Sequence, residues 1–234
     1  MKTKLINKEY DLFNKLSHEW WNEDGKFKIL HQIRPIRVKF ILDQINDKKL
    51  NNLDILDVGC GGGLVSESLC RLGANVTGID FVQDNIEVAK YHSVKKKLNI
   101  NYQHANIETL NIKKKYDLII MYEILEHLDN WEKFLLNITK NLKKNGILII
   151  STINRNIFSK LTAIYLAENI LGWIPKGTHT YNKFIKPDEI ESCLENKNFK
   201  IKSKKGLIFN PIEMNWKISE NTNVNYFCSY IRSN

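Results

Sequence analysis

The chain has few cysteines, few arginines and no long apolar run, and each scarcity closes off a class of protein. Its four cysteines (Cys60, Cys70, Cys193 and Cys228) are scattered, with neither disulfide nor metal-ligand spacing, so a reduced, cytoplasmic setting is expected. No stretch is long and uncharged enough for a membrane-spanning helix, and no apolar run follows Met1 to Lys4. Neither an anchor nor a secretory leader is therefore expected. Of 35 basic residues only five are arginine (Arg34, Arg37, Arg71, Arg155 and Arg232), although the formal charge is +9. Arginine is the side chain suited to bidentate recognition of bases and phosphates, so most of the lysine reads as solvated surface and no nucleic-acid partner is expected. The 234 residues suffice for one substantial core, with no internal repeat or low-complexity linker to divide them.

What the sequence does have is concentrated in Leu53–Gly63, LDILDVGCGGG. A short apolar run carries Asp57 near its exit, four glycines follow within five residues, and a helical pattern opens at Leu64. Strand, glycine turn and helix form a geometry in which a cofactor can lie against bare backbone, with the unpaired N–H groups of the helix start as donors. The order Asp57-x-Gly59-x-Gly61-x-Gly63 does not need the dinucleotide reading G-x-G-x-x-G. It matches instead the acidic-x-G-x-G-x-G pattern of class I S-adenosylmethionine-dependent methyltransferases. The next strand, Ala74 to Asp80, ends in a second carboxylate placed to accept ribose hydroxyls.

Alternation continues along the chain. Helices are expected over about 1–21, from Pro35 to about Asn46, over Val82–Leu98, over Trp131–Leu142 with a stop at Asn145-Gly146, and from Pro187 to Glu195. Strands are expected at Ile100–His104, Tyr116–Tyr122, Ile147–Ile153, Phe199–Phe209 and Val224–Ile231. The fold class is α/β: a doubly wound, Rossmann-like sheet, mostly parallel, whose last two strands form an antiparallel edge pair. A single domain over 1–234 is expected, with amino-terminal helices (1–47) and an apolar insertion (156–180) covering the site.

Ligands in such sheets bind beyond the carboxyl ends of the strands. That rule gathers Gly59–Gly63, Asp80, Ala105–Ile107 with Asn106, Tyr122–His127 and Asn154–Asn156 into one crevice. Arg34 or Arg37 could reach a cofactor carboxylate there; a solvated pair fits the spacing equally well. Glu123, Glu126 and His127, at i, i+3 and i+4, would share a face of a helical turn. Two carboxylates and an imidazole suit either a hard divalent cation or an acid/base cluster. Ile157–Trp173 carries only Lys160 and Glu168 as charges and is apolar nearly all round, so it is buried, covers an apolar ligand or touches a bilayer.

These residues bring a family into view. WWNEDGKFKILHQIRPIR, LDVGCGGG, EILEH, STINRN, PKGTH, KFIKP and NPI together resemble the ubiquinone-biosynthesis O-methyltransferases over about Trp20 to Tyr226. The resemblance implies methylation of hydroxyls on polyprenylated phenols and quinols, first a 2-polyprenyl-6-hydroxyphenol and later 3-demethylubiquinol. It implies that Arg37, Gly59, Asp80 and the position of Tyr122 contact S-adenosylmethionine, joining Asp57, Gly61 and Asn106 from the crevice. Tyr122 stands where the family often has Met, which favours a backbone contact there. Glu123, Glu126 and His127 match divalent metal ligands, with Mg²⁺ the expected ion; Glu126 and His127 are also the candidate catalytic pair, with either the ion or His127 deprotonating the phenol. The segment Ile157–Pro175 matches a region associated with membrane contact, implying peripheral attachment at the inner face of the cytoplasmic membrane and other pathway enzymes as partners. Another small apolar phenol as substrate, or a non-catalytic cofactor-binding component, remains compatible with the same motifs. A nucleic-acid amine methylase would carry an Asn/Asp-Pro-Pro-aromatic motif where Tyr122-Glu123-Ile124 stands.

Overall fold

The computed structural model describes residues 11, 14–106, 112–160, 181–195 and 197–233. Their chain order is α1 (Lys28–Gln44), β1 (Asp54–Val58), α2 (Leu64–Arg71), β2 (Asn75–Asp80), α3 (Gln83–Lys95), β3 (Asn101–His104), β4 (Tyr116–Tyr122), α4 (Trp131–Ile138), β5 (Leu142–Ile153), α5 (Pro187–Glu195), β6 (Phe199–Asn210), β7 (Asn215–Ser219) and β8 (Asn225–Arg232). All eight strands belong to one sheet in the order β3-β2-β1-β4-β5-β8-β6-β7. The first five are parallel, and β8, β6 and β7 follow as antiparallel neighbours.

The middle strands are continuous apolar runs because both sheet faces are covered. Leu56, Ile119, Met121, Leu148 and Ile150 point to the face packed by Phe134, Leu135 and Ile138 of α4 and Ile190 and Leu194 of α5. Their neighbours Ile55, Leu118, Ile120 and Ile149 point the other way, against Ile33, Phe40 and Ile41 of α1 and Val65 and Leu69 of α2. Each such side chain contributes about 1.5–3 kcal/mol by leaving water, so the strands that aim the site are also the most strongly held.

Several boundaries differ from the sequence expectation. Helix α1 starts at Lys28, seven residues before Pro35, and holds that proline in its interior. The missing N–H and the ring clash cost about 3 kcal/mol; burial of Ile33 and a 2.9 Å hydrogen bond from His31 Nε2 to the Trp20 carbonyl secure the turn ahead of it. Helix α4 stops at Ile138, and a 3-10 turn over Thr139–Asn141 leads into β5 at Leu142. Asn145 and Gly146 therefore lie inside β5, at the irregularity where pairing with β4 jumps from Tyr116–Leu142 to Leu118–Ile147. Asn145 has φ 59°, the left-handed turn a bulge of this kind uses. At the far edge, β8 inserts between β5 and β6, and the outermost strand is β7, with only Trp216 and Ile218 apolar among its five residues. Of the expected first helix, residues 14–16 are helical and Ser17–Glu19 form a 3-10 turn. Of the apolar insertion, Ile157–Ser159 form a helical turn; residues 161–180, with His179, lie outside the described residues, as do Ile107 and residues 1–10.

Candidate active site

β1 and β2 deliver Asp57 and Asp80 to the same end of the sheet, on either side of the glycine turn. The turn needs glycine: Gly61 and Gly63 adopt φ 52° and 88°, where a side chain is strained. The N–H groups of Gly59 and Cys60 both bond the Ile79 carbonyl, at 2.8 and 3.0 Å, which ties the turn to β2. The bare faces of the glycines are not empty, however. A Cβ on Gly61 or Gly62 would collide with the Trp20 indole, and one on Gly63 with the Tyr102 hydroxyl. The bare backbone expected to meet a cofactor is, at these three glycines, approached by the chain's own aromatic rings.

Asp57 is buried and accepts a 2.6 Å hydrogen bond from the Ser66 hydroxyl on α2. Burial pushes its carboxyl up to about 6, against the lowering effects of that bond and of the Arg37 charge. Asp80 is also buried, and burial raises its pKa too, opposed by its own donors. Oδ2 accepts from Gly61 N–H at 2.9 Å, while Oδ1 accepts from Val82 N–H at 2.9 Å and the Asn85 amide at 3.2 Å. A carboxylate offers about four acceptor directions, so about one is left for a ligand hydroxyl. Asn106 follows β3 and is exposed beside Ala105, whose N–H bonds the Asp80 carbonyl at 3.0 Å.

A second group assembles where β4 and β5 end against α1. Arg37 is buried, with Nη2 3.3 Å from Glu123 Oε1 and its guanidinium 5.0 Å from the centre of the Tyr122 ring. The Tyr122 hydroxyl donates to the Arg37 carbonyl at 3.3 Å, and burial holds that phenol well above its ordinary pKa. Glu123 also accepts from the Ser151 hydroxyl at 2.7 Å and stands at φ 53°. Arg34, the other arginine of the turn, enters none of these contacts.

Glu126 is 3% exposed and lies beside Glu123 and the buried Thr152 hydroxyl, both close enough to shift its titration, yet neither carboxylate oxygen forms a well-aligned hydrogen bond among the described residues. Burial, and then the charge of Glu123, hold the Glu126 acid far above its usual range. His127 is half-buried at the end of a 3-10 turn, Leu125–His127. The shared helical face expected for Glu123, Glu126 and His127 does not form. Glu123 lies outside the turn in a left-handed conformation, and the turn is too tight for α-helical spacing. Among the described residues no three His, Cys, Asp or Glu side chains group so as to hold a metal. What the structure brings together is a carboxylate pair, one member satisfied and the other not.

Trp20, Ser66, Asn85, Ser151 and Thr152 join the site without a sequence signal that assigns them to it. Trp20, Ser151 and Thr152 stand in the WWNEDGKFK and STINRN stretches that carry the family resemblance, which assigns them no role, and Ser66 and Asn85 are ordinary polar residues without motif spacing.

Five parallel strands wound on both faces, with an acidic glycine turn at their carboxyl ends, define the methyltransferase class of this architecture. The methyltransferase domain family model matches residues 29–204. The solved magnesium protoporphyrin IX methyltransferase from Synechocystis, with bound SAH, superposes over 100% of both chains with a TM-score of 0.70 at 20% identity, which shows the fold. Among curated proteins, the ubiquinone biosynthesis O-methyltransferase of Rickettsia typhi is 49% identical over 96% of this chain and 92% of its own length. The protein of that name from Pelagibacter ubique is 45% identical over 98% of this chain and 99% of its own length. The chain belongs to the ubiquinone biosynthesis O-methyltransferase family.

Proposed function

We propose that this chain transfers the methyl group of S-adenosylmethionine to ring hydroxyls of polyprenylated phenol and quinol intermediates of ubiquinone biosynthesis. The observation that carries the reading is near-full-length identity of 45–49% to relatives of that name, joined to two buried carboxylates flanking a glycine turn. When bound, S-adenosylmethionine supplies an electrophilic methyl group on a sulfonium. Gly59, Gly61, Asp57 and Asp80 would seat the nucleoside end, with Asn106 beside the base and Arg37 and Tyr122 toward the amino-acid end. Their task is positioning: the phenolic oxygen must stand in line with the methyl, and orientation supplies much of the rate. A phenol of pKa about 10 is a poor nucleophile until its proton leaves, and His127 is the group proposed to take it.

The unpartnered Glu126 beside Glu123 suits a hard cation in its donor chemistry. Mg²⁺ would be held by these two carboxylates, with His127 outside the set, and would supply Lewis-acid lowering of the phenol pKa. No helix among the described residues is long and apolar enough to cross a membrane. The exposed Ile157 and Phe158 support a peripheral contact at the start of the 156–180 insertion, which with residues 1–47 would cover the site and admit an apolar tail; other pathway enzymes are candidate partners there.

The test is turnover of a short-chain polyprenyl quinol by purified protein. The expected products are the methyl ether and S-adenosylhomocysteine; cofactor binding without methylation of any such phenol or quinol would overturn the proposal. Activity after chelation, and after return of Mg²⁺, checks the cation. Full metal-free turnover, with Glu126→Gln active and His127→Ala dead, would remove the ion and leave the imidazole.

A further inference from the structure

Trp20 is buried at the exit of the Ser17–Glu19 turn, far in sequence from the glycine loop it covers. Its ring stacks on Phe27 at a centroid distance of 4.0 Å and 10° between planes, and fills the bare face of Gly61 and Gly62. Its indole Nε1 donates to Asn85 Oδ1 at 2.7 Å. An indole N–H can only donate, so this bond fixes which way the Asn85 amide faces. With Oδ1 committed to Trp20, Nδ2 is presented to Asp80 Oδ1 at 3.2 Å. Without the indole N–H the amide loses one of its two anchors and is held only by its own 3.2 Å bond to the carboxylate, which is then free to swing with it.

We infer that Trp20 is a positioning residue for nucleoside recognition: through Asn85 it orients the Asp80 carboxylate that meets the cofactor's ribose. This rests on Asp80 being the ribose ligand. The same residue clamps the loop from which Gly61 N–H reaches Asp80 Oδ2, so one side chain constrains both oxygens. The amino-terminal stretch, outside the part of the chain matched as a methyltransferase domain, is then a component of cofactor binding.

The test substitutes the N–H while keeping the ring. Incorporation at position 20 of the benzothienyl analogue of tryptophan (sulfur replacing N–H) is compared with Asn85→Ala and Asp80→Ala. The readouts are calorimetric Kd for S-adenosylhomocysteine and for its 2′- and 3′-deoxy analogues, with the KM for S-adenosylmethionine. Loss of one net hydrogen bond predicts a Kd about fivefold weaker, a rise in KM exceeding any fall in kcat, and weaker discrimination between ribose and deoxyribose. The benzothienyl substitution combined with Asn85→Ala should be no worse than Asn85→Ala alone. Wild-type affinity and discrimination in the benzothienyl protein, with binding weakened in Asp80→Ala, would overturn the relay and leave Asp80 as the ligand. Unchanged binding in Asp80→Ala would overturn the ribose assignment and the relay with it.

Discussion

Asp57 at the end of β1 and Ser66 in the first turns of α2 share a 2.6 Å hydrogen bond across the glycine turn. The bond closes the turn from beneath and, with the Ser66 backbone N–H, gives a buried carboxylate its donors. It does not offset the loss of water, since the Asp57 carboxyl stays raised at about 6.

That shift has a sign. Between the ordinary value near 3.8 and about 6, the folded chain holds a proton that the unfolded chain has released, so stability falls as pH rises through this window and is flat above it. The loss is about 3 kcal/mol for a shift of this size in a fully buried group. Denaturant titrations of the cofactor-free protein from pH 4 to 7 should show the decline, and Asp57→Asn should make it shallower, leaving the part that the raised Asp80 and Glu126 contribute. Parallel pH profiles for the two proteins would contradict the assignment.

Arg37 and Glu123 form an unequal pair. The guanidinium side chain is 8% exposed and the carboxylate 24%, so Glu123 can regain water when its partner is removed and Arg37 cannot. Glu123→Gln should therefore destabilise by about 3 kcal/mol, as expected when a buried charge loses its partner, and Arg37→Met by clearly less. Chemical denaturation of both variants, with the double mutant to measure coupling, decides the order.

Gly62→Ala should be destabilising by about 2 kcal/mol, the usual cost of overpacking, because its Cβ would enter the Trp20 ring. In a Trp20→Ala background the same substitution should cost almost nothing. Additive losses would mean that the loop and the indole are not in conflict.

The turn after β5 offers a test of membrane contact. Ile157 and Phe158 are 74% and 65% exposed, and the turn is held by a capping box between Asn156 and Ser159. Changing Ile157 to Glu should leave the melting temperature unchanged and reduce flotation with anionic vesicles several-fold. Equal flotation would assign the contact elsewhere.

The parts of the fold legible in the sequence were those written locally. Tyr116–Tyr122 and Pro187–Glu195 begin and end where hydrophobic period and proline placed them, and the glycine turn follows its spacing. The chain around Glu123 was misread because an i, i+3, i+4 pattern presupposes α-helical dihedrals, and one left-handed residue cancels them. β7 was missed because an edge strand with two apolar residues has almost no periodic signal. Trp20 was missed for a different reason: its partner Asn85 lies 65 residues away, and nothing local in either residue specifies the meeting.

The left-handed backbone of Glu123 also bears on how this protein would respond to selection for heat tolerance. A glutamate at φ 53° carries a standing cost on the order of 1–3 kcal/mol, which glycine or asparagine would largely remove. Position 123 is thus a place where a thermostability screen finds relief in the main chain and meets a penalty from the uncompensated guanidinium of Arg37. Variants emerging from such a screen should change both residues together, gaining tolerance to heat while giving up the buried charge pair between α1 and the end of β4.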